Sequence, residues 1–417
     1  MSTAAIPPRK VVALADPIWV GHHPMYFAQF AASFLRHGAH VIALCPEPDD
    51  ARREIMESVD PAIAAELHRH VTFGHLGSAR RGFLNGRFEG DPVRTALRWR
   101  DANTAIEDAE TRLGRIADLV YFPYLDTYLR FLPVPLAPEI LIGRPWAGLY
   151  LRNHHYGNAP SLKQGLVLLG KGDSLLRSQS CRGIGVLDER FIPGMERYTG
   201  KSVRLFPDFT NVALPEEPTD LTREIMMKAN GRKIIGMIGL ERRKGLLTLL
   251  QTARLAHGRG LPYYFVCGGR IFPEEYTLAE WQDIEALANS GLDNLHLDPA
   301  AERIPSEAGF NSLFSTFDVA WAAYENFEGS SNTLGKAAAF GIPCLASDAG
   351  CVGHRVKNYG TGLTIPEGDA ARAVDAIPLM LAGKDWNDRP LAARHADFRA
   401  DHSLAKLDAL LGDLLAE

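Results

Sequence analysis

Apolar and polar positions alternate along the chain in two successive series of short hydrophobic runs and amphipathic stretches. Val11–Ala15 is an apolar run closed by Asp16-Pro17, which predicts a buried strand ending in a loop. The loop Gly21-His22-His23-Pro24 follows. Phe27, Phe30, Ala31, Phe34 and Leu35 then recur at helical spacing, and Gly38 stops the helix predicted over 25–37. His40–Cys45 is the next apolar run, so the first 45 residues read as a β-α-β unit and imply a parallel sheet. Amphipathic helices are expected over 51–67 and 95–113, with a Gly- and Arg-rich surface loop over 74–91 between them. Further strands are expected at 118–121, 148–151, 184–187 and 203–206.

Prolines and acidic residues then gather at 207–222, and a second β-α series starts at Lys233. Its strands are predicted at 234–238, 263–267, 294–297, Val319–Ala322 and Cys344–Ser347. Its helices are predicted at 246–257, 277–290 and Asn332–Phe340. The expected fold class is α/β: two doubly wound Rossmann-like domains facing a cleft, with ligands at the carboxyl ends of the strands. The boundaries are 1–206 for an N-terminal domain, 207–232 for a linker, and 233–385 for a C-terminal domain. Residues 386–417 form a helical tail that could pack back on the first domain.

Composition narrows the function. Net charge is −5 over 417 residues, so no global basic field recommends nucleic acid as a partner. No apolar run reaches the ~18 residues of a membrane span. The first ten residues lack the apolar core of a secretory signal. Five cysteines without CxxC spacing read as buried, reduced thiols. The expected location is cytoplasmic, with peripheral contact at the inner face of a membrane as a further option.

Two stretches carry chemistry. In Tyr324-Glu325-Asn326-Phe327-Glu328-Gly329, followed by Ser330, Ser331, Asn332 and Thr333, a polar loop opens a helix that Gly341 ends. A helix N-terminus preceded by small residues can hold an anion, although an ordinary capped helix has the same look. In Gly239-Leu240-Glu241-Arg242-Arg243-Lys244-Gly245, three cations stand between a strand and a helix. They can neutralise a diphosphate without a metal, or form a solvated basic turn. Neither GxGxxG nor GxxxxGK[ST] accompanies them here.

In their order and surroundings these stretches resemble the retaining GT-B glycosyltransferases of family 4. The resemblance rests on Lys244-Gly245, on Glu328-Gly329, on the Ala-rich helix ending Gly341-Ile342-Pro343, and on Ala346 to Gly350. Gly360 to Leu363 and Pro366 to Asp369 complete it. It covers 233 to about 376 well, and only the layout before 210. It implies transfer of a sugar from a nucleotide-sugar donor to a glycan, lipid-linked or small-molecule acceptor, with retention and without a metal or other cofactor. Lys244, Arg242, Arg243 and the backbone of Ser330 to Thr333 would stabilise the departing diphosphate. Glu328 would accept hydrogen bonds from sugar hydroxyls, with Gly329 beside it. Gly21 would lie near the donor phosphate.

In the N-terminal half, His154 matches a histidine that the family carries at a strand end near the transferred sugar, with His155 as its neighbour. Only one of two adjacent strand residues can face the cleft. A zinc site from His22, His23, His154 and His155 lacks any Cys or carboxylate at ligand spacing. The acceptor region is expected within 73–90 and 121–135, where Tyr121, Phe122, Tyr124, Tyr128 and Phe131 read first as core. Arg80, Arg81, Arg87, Arg94, Arg98 and Arg100 form a local basic cluster.

Three positions depart from the family pattern. The carboxylate expected to bind donor ribose falls on Lys336, the Arg ahead of Lys-Gly falls on Gly239, and a late Glu falls on His354. An ammonium only donates hydrogen bonds, so it cannot replace a carboxylate that accepts them from a diol. Lys336 near a helix N-terminus demands an anion: donor phosphate, a carboxylate sugar, Glu325 or Glu328. It is therefore expected to face the cleft. These departures also suit a catalytically silent, glycosyltransferase-like binding subunit. An epimerase or phosphorylase of the same layout shares only the fold.

Overall fold

The computed structural model describes residues 9–77, 92–129, 136–157 and 162–417. The chain forms two compact units, one of residues 1–207 with 404–417 and one of residues 208–403.

The first unit is built on seven parallel strands: β1 (Val11–Ala15), β2 (His40–Cys45), β3 (Val71–His75), β4 (Leu119–Phe122), β5 (Trp146–Leu149), β6 (Cys181–Val186) and β7 (Val203–Leu205). Their order across the sheet is β3-β2-β1-β4-β5-β6-β7. Every residue of β1 and β2 is buried, as expected of strands covered by helices on both faces. The helix over 51–67 is broken into Pro48–Ser58, Pro61–Ala65 and Leu67–His70, because Pro61 cannot continue a helix begun before it. β3 was not expected; its start falls between two predicted elements, in a run whose burial is incomplete. The last helix, Leu404–Ala416, belongs to this first unit. It buries Leu407, Leu411 and Leu414, and Asp408 pairs with Arg36 at 2.7 Å.

The second unit has six parallel strands: β8 (Lys233–Leu240), β9 (Tyr263–Ile271), β10 (Leu295–Leu297), β11 (Val319–Ala322), β12 (Cys344–Ser347) and β13 (Gly362–Ile365). Their order is β10-β9-β8-β11-β12-β13. β13 occupies a stretch whose Gly-Thr-Gly start reads locally as loop. Residues 207–232, expected as a linker, hold the helix Asp220–Ala229. Its Thr219 cap accepts the Thr222 amide, and its Ile225 is buried in the unit.

Both sheets turn back at one place, between β1 and β4 in the first and between β8 and β11 in the second. Chain connections leave these neighbouring strands in opposite directions, which opens a crevice at their carboxyl ends. All five cysteines are buried thiols. Among the described residues, no helix is long and apolar enough to cross a membrane.

Candidate functional site

In the second unit the two chemistry-bearing loops follow the two strands that flank the reversal. The loop after β8 is 241–245, and the loop after β11 is 323–331. They interlock: the Glu325 amide donates to the Arg243 carbonyl at 2.8 Å, and Thr248 donates to the Glu325 carboxylate at 2.6 Å. Gly245 is in the left-handed region (φ 78°), and a Cβ there would collide with the Ala323 carbonyl. This position therefore needs glycine for both its φ and its close approach to the second loop.

The cations are arranged unequally. Lys244 folds back over Gly239, where a Cβ would stand 2.6 Å from its Nζ; Gly239 itself has a φ of 82°. The side chain expected from the family at 239 would displace Lys244, so the two features are one arrangement. Burial pulls the Lys244 ammonium below its ordinary pKa, against the opposing charge of Glu241 at 3.7 Å. Burial would raise the Glu241 carboxyl, but Lys244 and Arg243 together hold it below its usual value. Arg243 pairs with Glu241 at 2.6 Å and lies over the Phe327 ring at 5.3 Å. Arg242 turns away and pairs with Glu280 at 2.6 Å. Glu280 also closes the capping box with Thr277 on the helix Leu278–Ala288. Arg242 is thus engaged in structure, while Lys244 and Arg243 remain at the loop.

Ser331 caps the helix Asn332–Phe340 by accepting the Thr333 amide. The Tyr324 hydroxyl lies 2.9 Å from the Ser331 hydroxyl and 2.8 Å from that of Thr333, which fixes the helix start to the end of β11. Asn332 carries a buried side-chain oxygen with no hydrogen-bond partner among the described residues. Gly350, with a φ of 70°, opens the helix Gly350–Tyr359 against the backbone of Phe327 and Glu328. Three helix N-termini, at Leu246, Asn332 and Gly350, therefore border the same loops. Helix N-termini favour an anion through their dipoles and first-turn amides, although at Asn332 the Thr333 and Leu334 amides already donate to Ser331. Glu328 is exposed on the loop, and Gly329 and Ser330 are half-buried.

Lys336 is placed otherwise than expected. Its side chain is 3% exposed, and its ammonium donates to Glu307 at 2.5 Å, Asn311 at 2.6 Å and the Asn211 carbonyl at 2.8 Å. The Phe310 ring lies 4.9 Å from the ammonium. Its compensating anion is Glu307, neither Glu325 nor Glu328. The reason is local: the side chain crosses to the neighbouring helix Glu307–Phe314, whose Glu307, Phe310 and Asn311 share one face at helical spacing.

In the first unit, His154 and His155 lie on a single 3₁₀ turn, His154–Gly157, after β5. His155 turns inward to Asp173 at 2.7 Å, and the Tyr150 hydroxyl donates to the same carboxylate at 2.9 Å. His154 is exposed, edge-on to Phe191 at 5.8 Å. The turn is anchored from behind: the Asp126 carboxylate accepts the amides of Leu151 (2.9 Å) and Arg152 (2.7 Å). Gly21 has a φ of 65° and open space around it. At the end of β1, Asp16 pairs with His23 at 2.8 Å, and the His23 ring stacks on Tyr124 from the loop after β4. His22, His23, His154 and His155 do not gather into one set of ligand atoms among the described residues.

Sequence reasoning missed Asp16 and Asp126 as site residues; it placed Tyr124 among acceptor-region aromatics read first as core, and His23 in the loop expected near donor phosphate and acceptor and in a zinc set. One signal was present: an Asp directly after a buried strand stands at a carboxyl edge. Of the aromatic and basic candidates, Tyr121, Phe122 and Tyr128 are core, and Arg98 donates to the Thr127 carbonyl. Phe131, Arg80, Arg81 and Arg87 lie outside the described residues.

Two Rossmann-like units with these strand orders define the GT-B fold, and known structures agree along the whole chain. The Anabaena protein HepE, solved with UDP and glucose, matches at 13% identity and TM-score 0.60, over 98% of this chain and 100% of that one. Sucrose-phosphate synthase from Thermosynechococcus elongatus matches at 18% identity and TM-score 0.62, over 98% of both chains. A UDP-forming trehalose-phosphate synthase from Burkholderia xenovorans matches at 14% identity and TM-score 0.62, over 98% of this chain and 99% of that one. No curated protein sequence matches. Residues 232–382 match the family model described as Glycosyl transferases group 1. The chain accordingly has the GT-B fold, and most of its second unit is similar to the group 1 glycosyl transferases.

Proposed function

We propose that the protein transfers a sugar from a nucleotide-sugar donor to a hydroxyl-bearing acceptor, with retention of anomeric configuration and without a metal. One observation carries the reading. The loops after β8 and β11 interlock at the strand reversal and place Lys244, Arg243 and three helix N-termini around one carboxyl edge. That edge suits the diphosphate of a donor. Negative charge grows on the departing diphosphate as the sugar takes on oxocarbenium character, and fixed cations and amides stabilise that growth without reorganising. Glu328 accepts hydrogen bonds from sugar hydroxyls, and Ser330 to Thr333 line the phosphate side. His154, exposed in the first unit, orients the sugar near its reacting carbon. The fold likeness to proteins solved with UDP, or described as UDP-forming, makes UDP-sugars the first donors to try.

The test is a thermal-shift panel of UDP, GDP and ADP with their glucose and mannose conjugates, followed by release of free nucleotide. A donor at 100 times its Kd stabilises the fold by about 2.7 kcal/mol. Stabilisation together with nucleotide release supports the reading; turnover that vanishes with EDTA and returns with a divalent metal removes its metal-free part. The burial of Lys336 against Glu307 favours a second reading, a binding subunit without turnover, because no carboxylate stands at that position to hold ribose. It requires stabilisation by a nucleotide with no release of free sugar.

A further inference from the structure

Two carboxylates neutralise the cations of the loop after β8, and they differ in what else holds them. Glu280 faces Arg242 at 2.6 Å and is fixed independently, because it also accepts the Thr277 amide at 2.9 Å and the Thr277 hydroxyl at 3.0 Å. Glu241 has no such anchor. Its Oε2 accepts from Nε and Nη2 of Arg243 at 2.7 and 2.6 Å, and its Oε1 faces the Lys244 ammonium at 3.7 Å. Beyond these two cations its carboxylate has no partner among the described residues. The side chain is 27% exposed, so it can turn to water.

The two cations have supports of their own. Lys244 lies over Gly239, and the Arg243 guanidinium lies over the Phe327 ring. The turn beneath them is bonded through its backbone, with the Lys244 amide donating to the Glu241 carbonyl at 2.9 Å. Rotation of the Glu241 side chain therefore leaves the turn and both cations in place. The charge balance makes that rotation necessary for an anion. Arg242, Arg243 and Lys244 stand against Glu241, Glu280 and Glu275, whose carboxylate accepts the Arg242 amide at 2.9 Å. Among the described residues the run thus offers a ligand no surplus of positive charge. A diphosphate carries more charge and more acceptor oxygens than one carboxylate. It can displace Glu241, but only by breaking both of its pairings.

We propose that Glu241 is an internal counter-anion that competes with the donor diphosphate for Arg243 and Lys244. The inference rests on the glycosyl-transfer reading above. Binding then proceeds by exchange: the carboxylate turns to water as phosphate oxygens take its place on the two cations. The exchange lowers donor affinity. It also selects for the diphosphate, since a ligand without phosphate cannot replace the broken pairings. While it holds the cations, Glu241 offsets the repulsion between two like charges that are adjacent in sequence.

The experiment is calorimetric titration of the wild type and Glu241→Gln with UDP, GDP and ADP, and with uridine, guanosine and adenosine. The glutamine keeps the shape of the side chain and removes its charge. It should bind the preferred diphosphate about fivefold more tightly, the gain expected when a competing ion pair of ordinary strength is lost. The matching nucleoside should gain nothing. Added salt should shrink the advantage of the variant, because it screens the charge that the substitution unmasks. Unchanged or weaker diphosphate binding in Glu241→Gln overturns the proposal and makes Glu241 a residue that positions the cations. An equal gain for the nucleoside overturns it too, as does a gain that salt leaves untouched. If neither protein binds any of the three diphosphates, the glycosyl-transfer reading fails, and the proposal falls with it.

Discussion

Restoring the family carboxylate by Lys336→Glu should unfold the second unit more easily rather than repair a ribose site. The Lys336 ammonium has three acceptors, the Glu307 carboxylate, the Asn311 amide oxygen and the Asn211 carbonyl. The Asn311 amide nitrogen is already given to the carbonyls of Asn211 and Ala213. A glutamate in place of Lys336 would bring an acceptor among acceptors and a negative charge to Glu307. Breaking a buried ion pair costs about 3–5 kcal/mol. The Glu307 side chain is 52% exposed and can turn to water, which places the loss near the lower bound. At ~2–4 °C per kcal/mol for a unit of this size, a loss of about 3 kcal/mol lowers its Tm by roughly 6–12 °C. Lys336→Met keeps an apolar stem beside Phe310 and removes only the donor, at about 1–3 kcal/mol. Scanning calorimetry of the three proteins measures both. The reasoning is refuted if Lys336→Glu stays within about 0.5 kcal/mol of wild type, or if Lys336→Met proves the less stable of the two.

Lys244→Ala should lower turnover about 10²–10³-fold with the Tm unchanged, as expected for lost leaving-group stabilisation; near-normal turnover makes the cation run a solvated turn. Nucleotide release should survive dialysis against EDTA, measured on the donor that stabilises the protein most. The Glu280 carboxyl is held down to about 2 from its usual 4.5, first by the hydrogen bond from Arg242 and next by the Thr277 amide. Its folded pKa lies below the unfolded one, so its contribution is full above 4.5 and is lost as pH falls towards 2. Glu280→Gln should flatten the Tm-against-pH curve in that window, and an unchanged slope there would mean that other carboxylates set it.

The sequence disclosed most where a strand was fully buried and its neighbours were sharply polar. β1, β2, β11, β12 and the helix Asn332–Phe340 were legible to the residue, since continuous apolar runs and a Gly stop leave little choice. β3 and β13 were not, because one is only partly buried and the other begins with glycine. The helix Glu307–Phe314 was also missed. Without it Lys336 had no visible partner, and Glu325 and Glu328 were the nearest carboxylates by sequence. The anion that satisfies a buried cation is chosen by tertiary contact, here 29 positions away. Sequence distance is therefore a poor guide to it.

The same limit explains why the two loops of the second unit were found and the Asp16–His23 pair was passed over. Each loop announces itself locally, by three cations in a row or by a run of small residues before a helix. Asp16 and His23 are single residues seven positions apart, and Tyr124 stands far from both in sequence. What joins them is the order of the strands. A sheet that starts with its central strand and builds outward in both directions must bring the loop after the first strand beside the loop after the fourth. In the second unit that rule brings Arg243 to Glu325; in the first it brings His23 to Tyr124. Strand order alone marks both meeting places: β1 and β4 point to the one in the first unit as directly as β8 and β11 point to the one in the second.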